Sequence, residues 1–137
     1  MSETTAPATV VYESSVTAVG GQVEEFLAHG MLIFFADESP AELHDMSVRH
    51  TATVSDAGPR AGDILSVGDV SMEVLAVGSV VSDNLLQLGH LDLKANGLTE
   101  AELPGDVNVA KQPLPLPSPG DAFRITRSGQ PSPGESP

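Results

Sequence analysis

A turn built from glycine followed by aspartate recurs along the chain and restricts the choice of fold more than any other feature. The dipeptide occurs at residues 62–63, 68–69, 105–106 and 120–121, each time ahead of a short apolar run. Glycine permits tight turns, and the aspartate side chain bonds to nearby backbone groups. Short strands separated by such turns favour a barrel or a sandwich. We therefore predict an all-β fold, a small barrel-like antiparallel domain with one or two short helices.

Apolar periodicity predicts where the strands lie. Alternation of apolar and polar residues predicts strands at 46–54 and 72–79, and a first strand is expected at 9–17. A continuous apolar run predicts a buried strand at 31–35, and residues 122–127 are expected to pair as the last strand. The Pro-rich segment between 111 and 119 cannot form a central strand and is expected to run extended over the surface.

Three short helical segments are predicted between these strands. Residues 23–27 carry apolar side chains at helical spacing after two glycines. Ser39 is expected to cap a helix of one or two turns, and Ser82 is expected to cap the helix that follows the strand at 72–79. Gly89 is expected to end the helix that begins at Ser82, in a left-handed conformation.

Length and composition indicate one domain. The chain has 137 residues, enough for one domain with a real core. We expect a disordered lead-in at 1–9, a single domain at 10–127 and a disordered tail at 128–137. The chain has no apolar run near the roughly 18 residues that a membrane-spanning helix needs, and no signal peptide at its amino end, so we expect a cytoplasmic protein without direct membrane insertion.

Charge and cysteine content exclude several classes of function. The formal net charge is −13 with only six Lys and Arg residues, which argues against nucleic acid and against anionic membrane surfaces. The absence of cysteine removes disulfides, thiolate metal sites and cysteine nucleophiles.

Four histidines are the groups best suited to carry a proton or a phosphoryl group near neutral pH. His29 lies at a predicted helix end, where capping explains its presence without a functional role. His44 lies on a short helix predicted to be exposed, and it is likewise expected to have no functional role. His50 interrupts an apolar row on one face of the strand at 46–54. From the residues alone it is either a satisfied core histidine or a functional side chain at the open edge of a strand face. His90 lies at the junction of the helix that Gly89 is expected to end and the next strand.

The order of small-residue turns, helix and histidine resembles a known family. The runs AVGSV, SDNL and LGH within residues 76–90, followed by ANGLTEAELPGDVNVA at 95–110, resemble the enzyme IIA component of the glucitol/sorbitol sugar phosphotransferase system. The likeness extends upstream to Met31 and, more loosely, to Val10. It implies a phosphocarrier that takes a phosphoryl group from HPr and passes it to the IIB domain of a sorbitol permease with IIB and IIC components. No cofactor and no metal are implied, and homodimerisation is left open.

The resemblance also implies roles for particular residues. It places His50 on the phosphorylated histidine of the family. His90 matches the family's LGH and is expected either to donate a hydrogen bond to the phosphate or to pack at the junction, with Ser79 and Asn84 as weaker phosphate ligands. The family pattern has a second histidine two residues after the first, and this chain has Ala52 there.

Two other readings stay open at this point. A non-catalytic IIA-like binding or regulatory module would retain the barrel but would have lost phosphotransfer, with Ala52 marking the loss. A metal-dependent enzyme would use His44, His50 and Asp45, but their separation across a helix–strand break has no ligand-spacing logic.

Overall fold

The computed structural model describes residues 8–128, which form a closed eight-stranded barrel with two α-helices and one 3-10 turn. The segments predicted to be disordered, 1–9 and 128–137, lie almost entirely outside the described residues. In chain order the elements are β1 Thr9–Val19, α1 Val23–Ala28, β2 Met31–Ala36, the 3-10 turn Ala41–Leu43, β3 Val48–Ser55, β4 Ile64–Val67, β5 Val70–Val77, α2 Val81–Leu88, β6 Leu91–Lys94, β7 Asp106–Val109 and β8 Ala122–Arg127.

The barrel closes in the order β1, β3, β2, β6, β7, β5, β4, β8, with β8 returning to β1. The predicted all-β barrel with short helices is confirmed. Two neighbouring pairs, β2 with β3 and β6 with β7, are parallel, whereas the other pairs are antiparallel. A parallel pair cannot be joined by a tight hairpin, so a crossover connection joins β2 to β3 and another joins β6 to β7. No described helix is both long enough and apolar enough to cross a membrane.

The recurring Gly-Asp turns have a shared hydrogen bond. The carboxylate accepts the backbone N–H of the residue three positions earlier in three of the four copies: Asp63 from Arg60 at 2.8 Å, Asp106 from Leu103 at 3.2 Å and Asp121 from Ser118 at 2.9 Å. Each bond closes the turn just before the chain enters or approaches a strand, which explains why this dipeptide recurs.

Both predicted serine caps are wrong. The 3-10 turn has Pro40 at its N-cap position and α2 has Val80, and neither has a side-chain cap hydrogen bond. Ser82 lies inside the first turn of α2. The helix begins earlier than predicted because backbone groups satisfy its first donors: the Val80 N–H bonds to Pro104 O at 3.0 Å and the Val81 N–H to Gly78 O at 3.3 Å.

Aromatic rings from β1, β2 and β8 pack against one another in the core. The rings of Phe34 on β2 and Phe123 on β8 are 4.3 Å apart and nearly parallel, and Tyr12 on β1 lies 5.8 Å from Phe123. All three side chains are buried. Because these rings come from three strands, they fix the shape of the barrel interior around His50, near the start of β3.

Phe34→Ala is expected to lower the free energy of unfolding by about 3–5 kcal/mol, because it leaves a cavity beside Phe123 in a closed core. Denaturant titration measures this loss. Phe35→Ala is the matched control, since Phe35 is the next residue on the same strand but is only partly buried. Equal losses for the two variants would contradict the placement of Phe34 in the core.

Candidate functional site

His50 lies in β3 with its ring inside the barrel. The residue is 1% exposed. Its ring meets Phe34, Tyr12 and Phe123 edge to face, with centroid distances of 5.8, 6.1 and 5.3 Å. Val48 and His50 are both buried, as the alternation predicted, but Ala52, predicted on the same row, is exposed. The expectation that His50 lies at an open strand edge is wrong. Three strands bring aromatic rings around it, and these contacts are too distant in sequence to be seen from the local pattern of β3.

One ring nitrogen of His50 has a partner and the other has none. Nε2 is 2.8 Å from the backbone oxygen of Gly89. A carbonyl oxygen only accepts hydrogen bonds, so Nε2 carries the hydrogen and donates it. In the neutral ring, Nδ1 then holds the lone pair, and it is buried without a hydrogen-bond partner among residues 8–128. Buried polar atoms are normally paired, so this nitrogen marks a place where a group can be added.

Burial keeps the ring neutral. Desolvation lowers the pKa of His50 below 6.5, while the hydrogen bond to Gly89 and the charge of Glu38 act in the opposite direction. A neutral imidazole at pH 7 is the form that can act as a nucleophile. The phenol of Tyr12 is also neutral, because burial raises its pKa to about 12.

Gly89 holds its carbonyl against His50 through a helix cap. The residue ends α2 in the left-handed region, with φ of 64°, as predicted. A Cβ at this position would lie 2.6 Å from the backbone nitrogen of Ala36 and 2.9 Å from its Cα. Only glycine therefore fits both the backbone conformation and the close approach to β2.

A cleft connects His50 to solvent. It has a volume of about 240 Å³ and lies between β3, the end of α2 and the segment that follows β2. Besides His50, its wall includes Thr51, Ala52, Glu38 and Gln87. Ala52 is exposed at this cleft, so the position where the resemblance leads us to expect a second histidine borders the same opening.

His90 occupies the outer side of the barrel. Its ring stacks on Phe35, with centroids 4.2 Å apart and planes 6° apart, and its Nε2 is 3.0 Å from Oδ1 of Asp92. Successive strand residues point to opposite faces, so Phe35 faces outward where Phe34 faces His50. His90 does not line the cleft, and the structure therefore does not bring the two rings together.

The other polar side chains singled out from the sequence lie away from the cleft. His29 is the C-cap residue of α1, as predicted, and His44 binds the backbone oxygen of Ser39 at 2.8 Å. Ser79 is exposed in the turn before α2, and Asn84 lies within α2. None of these four residues lines the cleft at His50.

The sequence did not reveal two members of the site. Gly89 was predicted as a helix cap, but nothing in the pattern indicated that its carbonyl binds His50. Glu38, which lines the cleft and acts on the pKa of His50, follows β2 in an acidic segment without any motif. Only the parallel pairing of Ala36 with His50 brings that segment close.

The stability of the protein should depend on pH through His50. Its folded pKa lies below 6.5, so as pH falls below about 6.5 the unfolded chain binds a proton that the folded chain does not. The free energy of unfolding should then decrease with falling pH until the folded pKa is passed, with no such contribution above pH 6.5. Denaturant titrations from about pH 8 to about pH 5 should show a smaller decrease for His50→Gln. Identical pH profiles would contradict a buried neutral ring.

Known proteins similar to this chain point to one family. The family model of the PTS system glucitol/sorbitol-specific IIA component matches residues 11–124. Two relatives named PTS system glucitol/sorbitol-specific EIIA component, from Shigella flexneri and from Escherichia coli strain K12, are each 39% identical over 102 residues, covering 74% of this chain and 83% of the relative. A crystal structure of a PTS system IIA component from Enterococcus faecalis V583 has a TM-score of 0.73 and 23% identity, covering 81% of this chain and 96% of that one, which shows a shared fold.

Proposed function

This chain belongs to the PTS glucitol/sorbitol-specific IIA component family, and from that premise we propose that His50 is the residue on which it carries the phosphoryl group. The chain is a phosphotransferase component, a phosphocarrier of a sugar phosphotransferase system. The observation that carries the proposal is the state of the His50 ring. It is neutral, with Nε2 bonded to Gly89 and the lone pair on an unpartnered Nδ1.

The transfer is an exchange of one P–N bond for another. The Nδ1 lone pair attacks the phosphorus of a phosphohistidine on the donor protein, and the bond from that phosphorus to the donor nitrogen breaks. The electron pair of the broken bond stays on the donor imidazole. The His50 ring keeps its Nε2 hydrogen, and the Gly89 carbonyl stabilises the positive character that the ring gains. Positioning of the ring is the main contribution of the protein.

Access to Nδ1 requires the cleft to widen. In the described conformation the nitrogen is buried, and the phosphoryl group needs room beside a ring enclosed by Tyr12 and Phe34. Leu86 and Gln87 are exposed on α2 and line the cleft. Rotation of these two side chains would widen the cleft beside Thr51 and Ala52 while the Gly89 carbonyl stays bonded to Nε2.

The partners follow from membership of the family. A IIA component works with the IIB and IIC components of a sugar permease. We propose HPr as the donor and the IIB domain as the acceptor, with glucitol or sorbitol as the transported polyol, because the relatives carry that specificity in their names. His90 would act on the phosphate only if its ring left Phe35 and Asp92.

The burial of His50 is the observation that favours the rival function, a non-catalytic IIA-like binding or regulatory module. A histidine with one bonded nitrogen and three aromatic neighbours also serves as a packed core residue. Ala52 supports the same reading, because it places no second imidazole at the cleft. The unpartnered Nδ1 argues the other way, since a purely structural histidine normally pairs both nitrogens.

Phosphate transfer in a reconstituted system separates the two functions. The chain is incubated with phosphoenolpyruvate, enzyme I and HPr, and its bound phosphate is tested for acid lability and base stability. Addition of the IIB domain should then remove that phosphate. A carrier incorporates phosphate and passes it on, whereas a binding module stays unphosphorylated under conditions in which HPr is fully phosphorylated.

A further inference from the structure

The phenol of Tyr12 opens into the same cleft as His50. Tyr12 is only 2% exposed, and its ring centroid lies 6.1 Å from that of His50. Its hydroxyl bonds to no residue among 8–128, yet the oxygen is not one of the buried side-chain atoms left without a partner. The oxygen therefore contacts solvent, and the opening that Tyr12 lines is the cleft. A hydroxyl that is free to donate thus faces the place where His50 would receive a phosphoryl group.

The pairing of β1 with β3 shows how the Tyr12 side chain reaches the site. The Cα of Tyr12 lies opposite that of Ser55, which is five residues from His50 on β3. Because five extended residues span up to about 17 Å, rings with centroids 6.1 Å apart must lean toward each other along the barrel. Phe123, 5.8 Å from the Tyr12 ring, packs against it in the core. The phenol is therefore held in place by packing and directed toward His50.

The phosphoryl group would arrive at a cleft without cations. All six Lys and Arg residues lie in the described part of the chain, and none of them lines the cleft. Glu38 does line it and contributes negative charge. The second imidazole that the resemblance leads us to expect is replaced by Ala52. Since a phosphoryl group carries up to about two negative charges, neutral hydrogen-bond donors are needed to stabilise it.

Among the neutral donors that line the cleft, Tyr12 is the buried one. The other side chains that can donate, Thr51, Ser55 and Gln87, are exposed. Water competes for hydrogen bonds to exposed groups, whereas a hydrogen bond in a buried site is stronger because the local dielectric constant is low. Burial also raises the pKa of Tyr12 to about 12, so the phenol keeps its hydrogen at neutral pH.

We propose that Tyr12 is a further catalytic residue, whose hydroxyl donates a hydrogen bond to an oxygen of the phosphoryl group that His50 receives. The inference rests on the proposed function, because the phenol gains this acceptor only if His50 is phosphorylated. The bond from Nδ1 to phosphorus forms, the P–N bond of the donor breaks, and its electron pair stays on the donor imidazole. No proton leaves the phenol. Its hydrogen bond offsets the charge on the phosphoryl oxygens in the transition state.

Tyr12→Phe tests this role because it removes the hydroxyl and keeps the ring. No hydrogen bond among residues 8–128 is lost, so denaturant titration should give a free energy of unfolding close to that of wild type. Phosphate transfer should be about tenfold slower from both phosphorylated HPr and phosphoramidate, a small donor that needs no protein surface. Thr53→Val is the matched control, since it removes a hydroxyl from β3 outside the cleft and should transfer phosphate at the wild-type rate.

Tyr12 also reports on its own hydrogen bond. The chain has one Tyr and no Trp, so its near-ultraviolet absorption at the longest wavelengths comes from this phenol. Donation to a phosphate oxygen should shift the band to longer wavelength when the purified wild-type chain is phosphorylated, and hydrolysis of the phosphate should reverse the shift. A phenol with only a packing role would show no shift. This measurement decides the question even if Tyr12→Phe does not fold.

The outcomes distinguish the role of Tyr12 from that of His50. Phosphorylation of wild type without a band shift would overturn the role of Tyr12 and leave His50 as the carrier. Equal transfer rates for Tyr12→Phe and Thr53→Val would do the same. If wild type takes phosphate from neither donor, the proposed function fails, and the role of Tyr12 fails with it.

Discussion

His50→Gln should eliminate phosphate incorporation while the barrel stays folded. Glutamine has no nucleophilic nitrogen for the phosphoryl group, but its amide can still donate a hydrogen bond to the Gly89 carbonyl that Nε2 now contacts at 2.8 Å. We expect no phosphate above background after incubation with phosphoenolpyruvate, enzyme I and HPr. Circular dichroism and denaturant titration at pH 7 should show a folded protein.

His44→Gln is the matched control, because that histidine also binds a backbone oxygen through Nε2 at 2.8 Å but lies away from the cleft. It should incorporate phosphate as wild type does. His50→Ala is less informative, since it also leaves a buried carbonyl without its donor, at a cost of about 1–3 kcal/mol. If the His50→Gln variant still incorporates phosphate, another residue is the phosphate acceptor.

Gly89→Ala should lower both stability and the rate of phosphate transfer. Alanine in the left-handed region costs about 1–2 kcal/mol. The new Cβ would also lie 2.6 Å from the backbone nitrogen of Ala36, so the end of α2 must shift and take the carbonyl away from His50. We expect a lower melting temperature and a transfer rate reduced at least about tenfold, as for loss of a hydrogen bond to a charged group.

Gly97→Ala separates backbone strain from displacement of the carbonyl. Gly97 also has a positive φ, of 74°. A Cβ added at Gly97 would have the backbone nitrogen of Lys111 as its nearest neighbour, at 3.8 Å, so it would not clash. This variant should lose stability without losing transfer rate. If Gly89→Ala transfers phosphate as fast as Gly97→Ala, the Gly89 carbonyl does not position the His50 ring.

The sequence predicted most of the strands because alternation and turn chemistry are local. The Gly-Asp turns mark the chain just before β4, β7 and β8, and their carboxylates close those turns by bonds to residues three positions earlier. The start of α2 was mispredicted for a non-local reason, since Pro104 supplies an acceptor that the serine was expected to supply. The parallel pairs β2–β3 and β6–β7 depend on how the whole barrel closes, and no short-range pattern encodes that.

The sequence singles out His50 as the candidate phosphate acceptor but does not predict the environment of its ring. His50 interrupts an apolar row, and the resemblance of the surrounding chain to a known family distinguished it from the other histidines. Its burial arises from Tyr12, Phe34 and Phe123 on three other strands, and its hydrogen bond comes from Gly89, 39 residues away. Where the resemblance leads us to expect a second imidazole, the chain has the methyl group of Ala52 at the cleft.

The position of the phosphate on the phosphorylated chain tests the central claim most directly. After transfer from HPr, fragment mass spectrometry at neutral to basic pH identifies the modified residue, and proton–nitrogen correlation spectra of the intact chain distinguish phosphorylation at Nδ1 from phosphorylation at Nε2. We expect one phosphate, on Nδ1 of His50, with the Nε2–H bond to the Gly89 carbonyl retained. Phosphate on His90, or on Nε2 of His50 with that bond broken, would contradict the mechanism derived from the structure.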